Sequence, residues 1–332
     1  MKKDLLSAQD LKKYFLDRGY NCLQPHQVVN NKDTVFLTAG IQPIVSLYRK
    51  NLLDSNKKIY ISQPVIRTQF KDSTCEGTSI AFVNSTTSGF NISEMEHNIL
   101  VKDFLNLFYE LGMKQSDISS KTENYERLWG DLIVTGKTTF HYYKDIELGD
   151  TTFFTSIKRD GKNIGIDSMS DVGFGLERIR WCVSGKSYFD MYENSSELES
   201  EVKAYLSVLA LLAVNNVLPS NKNSGYRARS FSKTLVRILH GRDFSEREEA
   251  YLIECVKYWK DWQEINKDID LSLIKNEYIR NCNRYIIDQL AKEGYDNLSG
   301  ININISREEL VKRLLASSVD ENIVKKMIKI RK

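Results

Sequence analysis

Signatures of bound metal and of disulfide cross-linking are missing from this 332-residue sequence. Its five cysteines, Cys22, Cys75, Cys182, Cys255 and Cys282, are scattered with no C-x-x-C pair. That excludes a zinc ribbon or a disulfide frame and fits a reducing cytosol. Of the four histidines, His26, His97, His141 and His240, no two lie at metal-ligand spacing. No run approaches ~18 apolar residues, so no membrane span is expected. The opening MKKDLLSAQDLKK holds no apolar core of signal-peptide length. Neither sign of charge predominates: 47 Lys and Arg against 44 Asp and Glu leave a net charge of +3, too mild to name a partner. A cytoplasmic globular protein is the expectation, large enough for two domains.

The local signals change character along the chain. Ser7-Ala-Gln-Asp10 reads as a capping box, followed by an amphipathic helix through Leu11, Tyr14 and Phe15 that Gly19 stops. Residues 34–38 are strand-like, and 41–53 read as a helix with Pro43 in its first turn. Residues 58–68 are rich in β-formers, and Pro64 demotes them to an edge or irregular strand. With 79–83 as the return strand they form an antiparallel hairpin, Arg67 and Lys71 at its mouth. Ser93-Glu-Met-Glu96 is a second capping box, opening a helix with Leu100, Phe104, Leu107, Phe108 and Leu111 on one stripe. Residues 138–144, 151–157 and 163–169 are strand candidates. After about residue 190 only helices remain, at 197–217, 226–240, 246–262, 271–293 and 307–316. The expected fold is therefore α+β, a mostly antiparallel sheet flanked by helices over 1–190, then an all-helical domain over 191–332.

Residues 163–184, NIGIDSMSDVGFGLERIRWCVS, organise the first half. They read as a strand, a bend over Asp171–Gly175 and a helix from Leu176. The two glycines of the bend let backbone approach a ligand, and Arg178 lies one turn into the helix. Downstream, no acidic residue occurs from Pro219 to Arg242, while Lys222, Arg227, Arg229, Lys233, Arg237 and Arg242 are basic. Arg229, Lys233 and Arg237 fall at i, i+4 and i+8 and share one helix face, which suits a phosphate backbone.

Four motifs in order resemble those of class II aminoacyl-tRNA synthetases, and more closely the alanyl-tRNA synthetase family. Phe36-Leu-Thr-Ala-Gly40-Ile looks like its F-T-N-A-G-M. Gln63-Pro-Val-Ile-Arg67-Thr-Gln-Phe-Lys71 looks like Q-x-C-x-R-A-G-G-K. Asp171-Val-Gly-Phe-Gly-Leu-Glu-Arg178-Ile looks like D-x-G-x-G-L-E-R-I. Val217-Leu-Pro-Ser-Asn221-Lys-Asn-Ser-Gly225-Tyr-Arg-Ala-Arg229 looks like V-x-P-S-N-E-x-R-G-Y-V-L-R-R. The resemblance covers the catalytic and helical tRNA-recognition parts only and is that of a divergent paralogue. It implies a two-step reaction: the carboxylate of a small amino acid attacks the α-phosphate of ATP to give an aminoacyl-adenylate and pyrophosphate, and the acyl group passes to a tRNA 3′-end or another acceptor, releasing AMP. ATP and Mg²⁺ are the implied cofactors, and DNA is not an expected partner.

By the same resemblance Arg67 grips the α-phosphate and the substrate carboxylate, a bidentate task that suits arginine. Lys71 reaches the phosphates, Arg178 holds the far end of the nucleotide, and Glu76 is a candidate on the ATP side. Asp171 pairs with the amino acid's ammonium, Gly173 leaves space for a small side chain, and Trp129 walls the amino-acid pocket. Asn221 stands against the acceptor stem, with Arg229, Lys233 and Arg237 on the RNA. Plainer roles stay open: Arg67 and Lys71 as solvated strand-end charges, Asp171 as a helix N-cap, Trp129 as core. The sequence also departs from the family. Residues 84–92 replace H-H-T-F-F-E-M-L-G-N-F, so the adenine-stacking aromatic and its neighbouring glutamate are not evident. Residues 131–137 replace G-D-T-G-P-C-G-P-C, and no L-Y-D-T-Y-G-F-P stretch is visible around 314–319. Asp150 stands where the family has an asparagine; a carboxylate there disfavours an anionic side chain and favours a second ammonium or a hydroxyl. Two functions follow, an adenylate-forming ligase or an inactive paralogue that binds tRNA or a nucleotide.

Overall fold

The computed structural model describes residues 7–30, 34–53, 58–69, 79–129, 131–185 and 197–328. The elements in chain order are α1 (Ala8–Leu16), β1 (Asn21–Cys22), α2 (Ile41–Arg49), β2 (Ile59–Ile66), β3 (Ala81–Phe90), α3 (Glu94–Glu110), β4 (Ile118–Trp129), β5 (Leu132–Tyr143), β6 (Ile146–Arg159), β7 (Lys162–Asn163), β8 (Met169–Gly175) and α4 (Leu176–Ser184). Six further helices follow: α5 (Ser200–Val214), α6 (Asn223–Ile238), α7 (Glu246–Trp262), α8 (Ser272–Lys292), α9 (Arg307–Ala316) and α10 (Glu321–Met327). The chain divides into two compact units, Met1–Met191 with Lys260–Ile265, and Tyr192–Trp259 with Asn266–Lys332.

The first unit is built on one sheet of order β1-β2-β3-β8-β6-β5-β4, with β7 appended to β6. Every pairing is antiparallel except the two-residue β1–β2 contact. That short contact explains Pro64. β1 pairs only with Ile59 and Tyr60, so Pro64 sits where β2 has a neighbour on one side alone, opposite Val83, and its missing N–H costs no ladder bond. One face of the sheet is covered by α1 and α3. Phe15 stacks on Tyr60 at 3.9 Å, and Phe104 and Phe108 each meet Phe174 at 4.8 Å. Full burial of each such ring contributes roughly 1.5–3 kcal/mol. Both helices start with the expected capping boxes, Ser7 with Asp10 and Ser93 with Glu96. On the other face, Ile41 and Ile44 of α2 join Ile59, Ile61, Phe90, Phe154 and Met169 in a second apolar layer.

The strand expectations need correction in several places. Residues 171–175 are not a bend; they are the body of β8, the central strand between β3 and β6. Asp171 is thus no N-cap; Gly175 holds that position in α4. The return strand of the hairpin runs to Phe90, well past residue 83. β4 is a strand despite its charge, because it lies on the sheet edge, pairs only with β5, and exposes both faces, so no alternation marks it. Residues 34–38 contribute only an isolated bridge, Val29 with Phe36.

The second unit is helical. α5 is buried from Val202 through Val214, as a helix apolar on all sides must be. Trp259 of α7 donates its indole N–H to the Ser207 carbonyl at 2.9 Å. α8, α9 and α10 share a smaller cluster around Ile286, Leu290, Leu310, Leu314 and Val324. None of the described helices is long and apolar enough to cross a membrane.

Candidate active site

Strand alternation builds the site. On β8, Val172 and Phe174 turn to the helix-covered face and are buried. Asp171, Gly173 and Gly175 turn to the opposite face and line a cleft. Register supplies the remaining walls. Gly173 pairs with Thr86 on β3 and with Asp150 on β6, while Asp171 pairs with Ser88 and Thr152. The cleft gathers Arg67 from the end of β2, Asp150 from β6, Asp171 and Gly173 from β8, and Arg178 from the first turn of α4. These come from positions up to 111 residues apart in sequence (67 to 178). The empty space among these residues, open solvent at the mouth included, is about 670 Å³.

The charged groups are held in specific ways. Arg67 donates its Nε–H to the Thr38 carbonyl at 2.9 Å, and its guanidinium lies 5.0 Å from the centre of the Phe82 ring. This ties the segment 36–40 to the hairpin mouth. Arg178 donates to the Glu147 carbonyl at 2.7 Å and pairs with the Glu147 carboxylate at 3.7 Å. Glu177, 1% exposed, accepts the Val83 N–H with its two oxygens at 3.0 and 2.9 Å, clamping the start of α4 to β3. Asn84 accepts the Gly40 N–H at 2.6 Å.

Burial dominates the electrostatics. It pushes the Asp171 carboxyl up to about 8, with Asp150 adding to the rise and Arg67 opposing it. Burial also raises Asp150, against the pull of Arg67. The Arg67 guanidinium is shifted down, again by burial first, with Asp150 counteracting. Both carboxyls are thus shifted toward their protonated forms. An arriving cation favours the ionised forms.

Two glycines here have different reasons. A Cβ on Gly149 would lie 2.4 Å from the Gly173 carbonyl oxygen, so close strand approach demands glycine. A Cβ on Gly173 would meet Asn84 Nδ2 at 3.4 Å and Thr86 Oγ1 at 3.5 Å, so its absence keeps cleft volume open.

Trp129 does not line this cleft. It packs edge-on to Phe154 at 5.1 Å, joins the apolar layer and donates its Nε1–H to the Tyr125 hydroxyl at 2.9 Å. The Tyr125 phenol is raised mainly by burial, and the charges of Asp171 and Asp150 add to the rise. Lys71 and Glu76 lie outside the described residues. Ser79, Phe82, Asn84, Glu147 and Glu177 line the cleft without having been anticipated. Phe82 had a readable signal: it is the one aromatic among residues 79–83 and backs Gly175, a Cβ on which would sit 3.7 Å from its ring.

In the helical unit Asn221 and Arg229 are hydrogen-bonded to each other. Arg229 also pairs with Glu277 of α8 at 2.8 Å, a carboxylate that Arg280 shares. Arg229 is thus an internal strut, whereas Lys233 and Arg237 are exposed. Tyr226, 54% exposed, lies seven residues before Lys233, on the same helix face. Among the described residues no group of three His, Cys, Asp or Glu side chains is placed to hold a metal ion.

No protein-family model matches the sequence, and no curated protein matches it. Forty-nine chains of solved structures do match, 49 in all. One is a pyrrolysyl tRNA synthetase from Desulfitobacterium hafniense, to which this chain is similar with 16% identity and a TM-score of 0.41 over 54% of this chain and 68% of that one.

Proposed function

We propose that the first unit is an ATP-dependent ligase of the class II synthetase type that activates a small amino acid as its adenylate. The observation that carries this reading is the convergence of Arg67, Arg178, Asp150, Asp171 and Gly173 on one cleft. The chemistry needs such a set. Attack of a carboxylate on the α-phosphate builds negative charge on phosphorus, and fixed guanidinium groups stabilise it without reorganising. Arg67 grips the α-phosphate and the attacking carboxylate, its Nε anchored on Thr38. Arg178 takes the distal phosphates, exchanging its Glu147 contact for them. Asp171 receives the substrate ammonium, which favours its ionised form. Phe82 offers the ring against which a base stacks. ATP enters as its Mg²⁺ complex.

The activated acyl group passes to a tRNA 3′-end or another acceptor. We place the RNA contact on the α6 face of Tyr226, Lys233 and Arg237, an exposed aromatic-and-basic stripe. Arg229, tied to Glu277, braces that face, and the exposed Asn221 is hydrogen-bonded to Arg229. The motifs of residues 36–41, 63–71, 171–179 and 217–229 resemble those of the alanyl-tRNA synthetase family, which is the basis for proposing a small amino acid. A second reading, a non-catalytic binder of tRNA or nucleotide, draws on the altered strand 84–92. Amino-acid-dependent exchange of pyrophosphate into ATP, surveyed over all amino acids with and without tRNA, separates the two. Exchange with at least one amino acid is expected; none under any condition leaves only the binder.

A further inference from the structure

The charges of the cleft do not balance around an ordinary zwitterion. Among its described lining residues two guanidinium groups, Arg67 and Arg178, face four carboxyl groups, Glu147, Asp150, Asp171 and Glu177. Glu177 is occupied by the Val83 N–H. Glu147 faces Arg178. Asp150 and Asp171 are left to share Arg67, whose charge acts on both. An α-amino acid with its carboxylate on Arg67 and its ammonium on Asp171 consumes that guanidinium and gives nothing to Asp150. Asp150 then keeps the Thr152 hydroxyl at 3.4 Å and no counter-charge, a costly state for a buried carboxylate. A side-chain hydroxyl on the substrate supplies a hydrogen bond but no charge. A side-chain cation supplies both.

The geometry sets the length of such a substrate. Asp150 stands opposite Gly173 and Asp171 opposite Thr152, so the aspartates are diagonal neighbours on one sheet face, about 7–8 Å apart at Cα. Gly173 puts no side chain between them. Two cationic groups a few carbons apart bridge that gap. An independent feature marks the cleft as built for a polar ligand: Ser79, 2% exposed, lines it with its hydroxyl unpartnered.

We propose that Asp150 and Asp171 together select a short α-amino acid bearing a second basic group, the α-ammonium meeting Asp171 and the side-chain cation meeting Asp150. This rests on the reading that the cleft activates an amino acid. The test titrates the full chain by calorimetry, with ATP present, against 2,3-diaminopropionate, 2,4-diaminobutyrate and ornithine. 2-Aminobutyrate, norvaline and norleucine serve as their uncharged partners in that order, alanine and serine are included, and pyrophosphate exchange is run on the same set. At least tenfold tighter binding of a diamino acid than of its uncharged partner is expected, with Asp150→Asn abolishing that preference. Stronger binding and exchange with an uncharged amino acid overturn the proposal and leave amino-acid activation standing. A diamino preference that survives Asp150→Asn overturns the role of Asp150. Absence of binding and exchange with every amino acid overturns this proposal together with the activation reading.

Discussion

Asp171→Asn tests the electrostatics of the cleft without requiring any substrate. In the unfolded chain this carboxyl titrates near its ordinary value of 3.8, and in the folded protein near 8, raised first by burial and then by Asp150. A group whose folded value is raised contributes stability that is fully present below the unfolded value and is lost as pH rises through the folded one. The slope of that loss is at most about 1.4 kcal/mol per pH unit. Because the two carboxyls interact, we expect a total of about 2–4 kcal/mol between pH 4 and pH 8.5. At ~2–4 °C per kcal/mol this is roughly 5–15 °C in thermal midpoint. The assay is unfolding of wild type and Asp171→Asn across that range without ligand. The two should converge at pH 4, and the variant should become the more stable as pH rises, since asparagine keeps the shape and carries no charge to desolvate. Parallel curves, or a variant that loses ground with rising pH, would refute the claim that burial of Asp171 outweighs the pull of Arg67.

Arg67→Lys keeps a charge but removes the planar fork and the Nε–H on Thr38; pyrophosphate exchange should fall ~10²–10³-fold, and retention within a few fold would argue against Arg67 at the phosphate. Glu177→Ala should cost about 2–4 kcal/mol in urea unfolding, because the Val83 N–H is orphaned and a cavity opens, with Glu177→Gln milder. Lys233→Ala with Arg237→Ala should weaken tRNA binding and make its log–log salt dependence shallower by about 1–2. Arg229→Ala should instead act on stability, lowering the thermal midpoint of the helical unit by removing one of the two guanidinium partners of Glu277; an unchanged midpoint would deny its role as a strut.

What the chain's letters determine alone is local. Capping boxes at Ser7 and Ser93 satisfy the first helical N–H groups from within three residues, and apolar stripes such as Leu100–Phe104–Leu107 point inward whatever they meet. The helical second half is legible for the same reason. The short motifs around Arg67, Asp171 and Arg178 also point to one site, since each carries its charge next to a strand end or glycine. Tertiary structure decided the rest. The segment 171–175 reads as a bend because glycine and aspartate occupy every cleft-facing position, yet pairing on both sides makes it the central strand. β4 is invisible to periodicity because an edge strand exposed on both faces needs no alternation. Trp129 is drawn to core by Phe154 and Tyr125, and Arg229 to an ion pair with Glu277 on another helix. Register sets Asp150 diagonal to Asp171 across β6 and β8, and no sequence pattern within either strand contains that fact. A strand specifies which residues share a face, but its partner and offset depend on the free energy of the whole sheet.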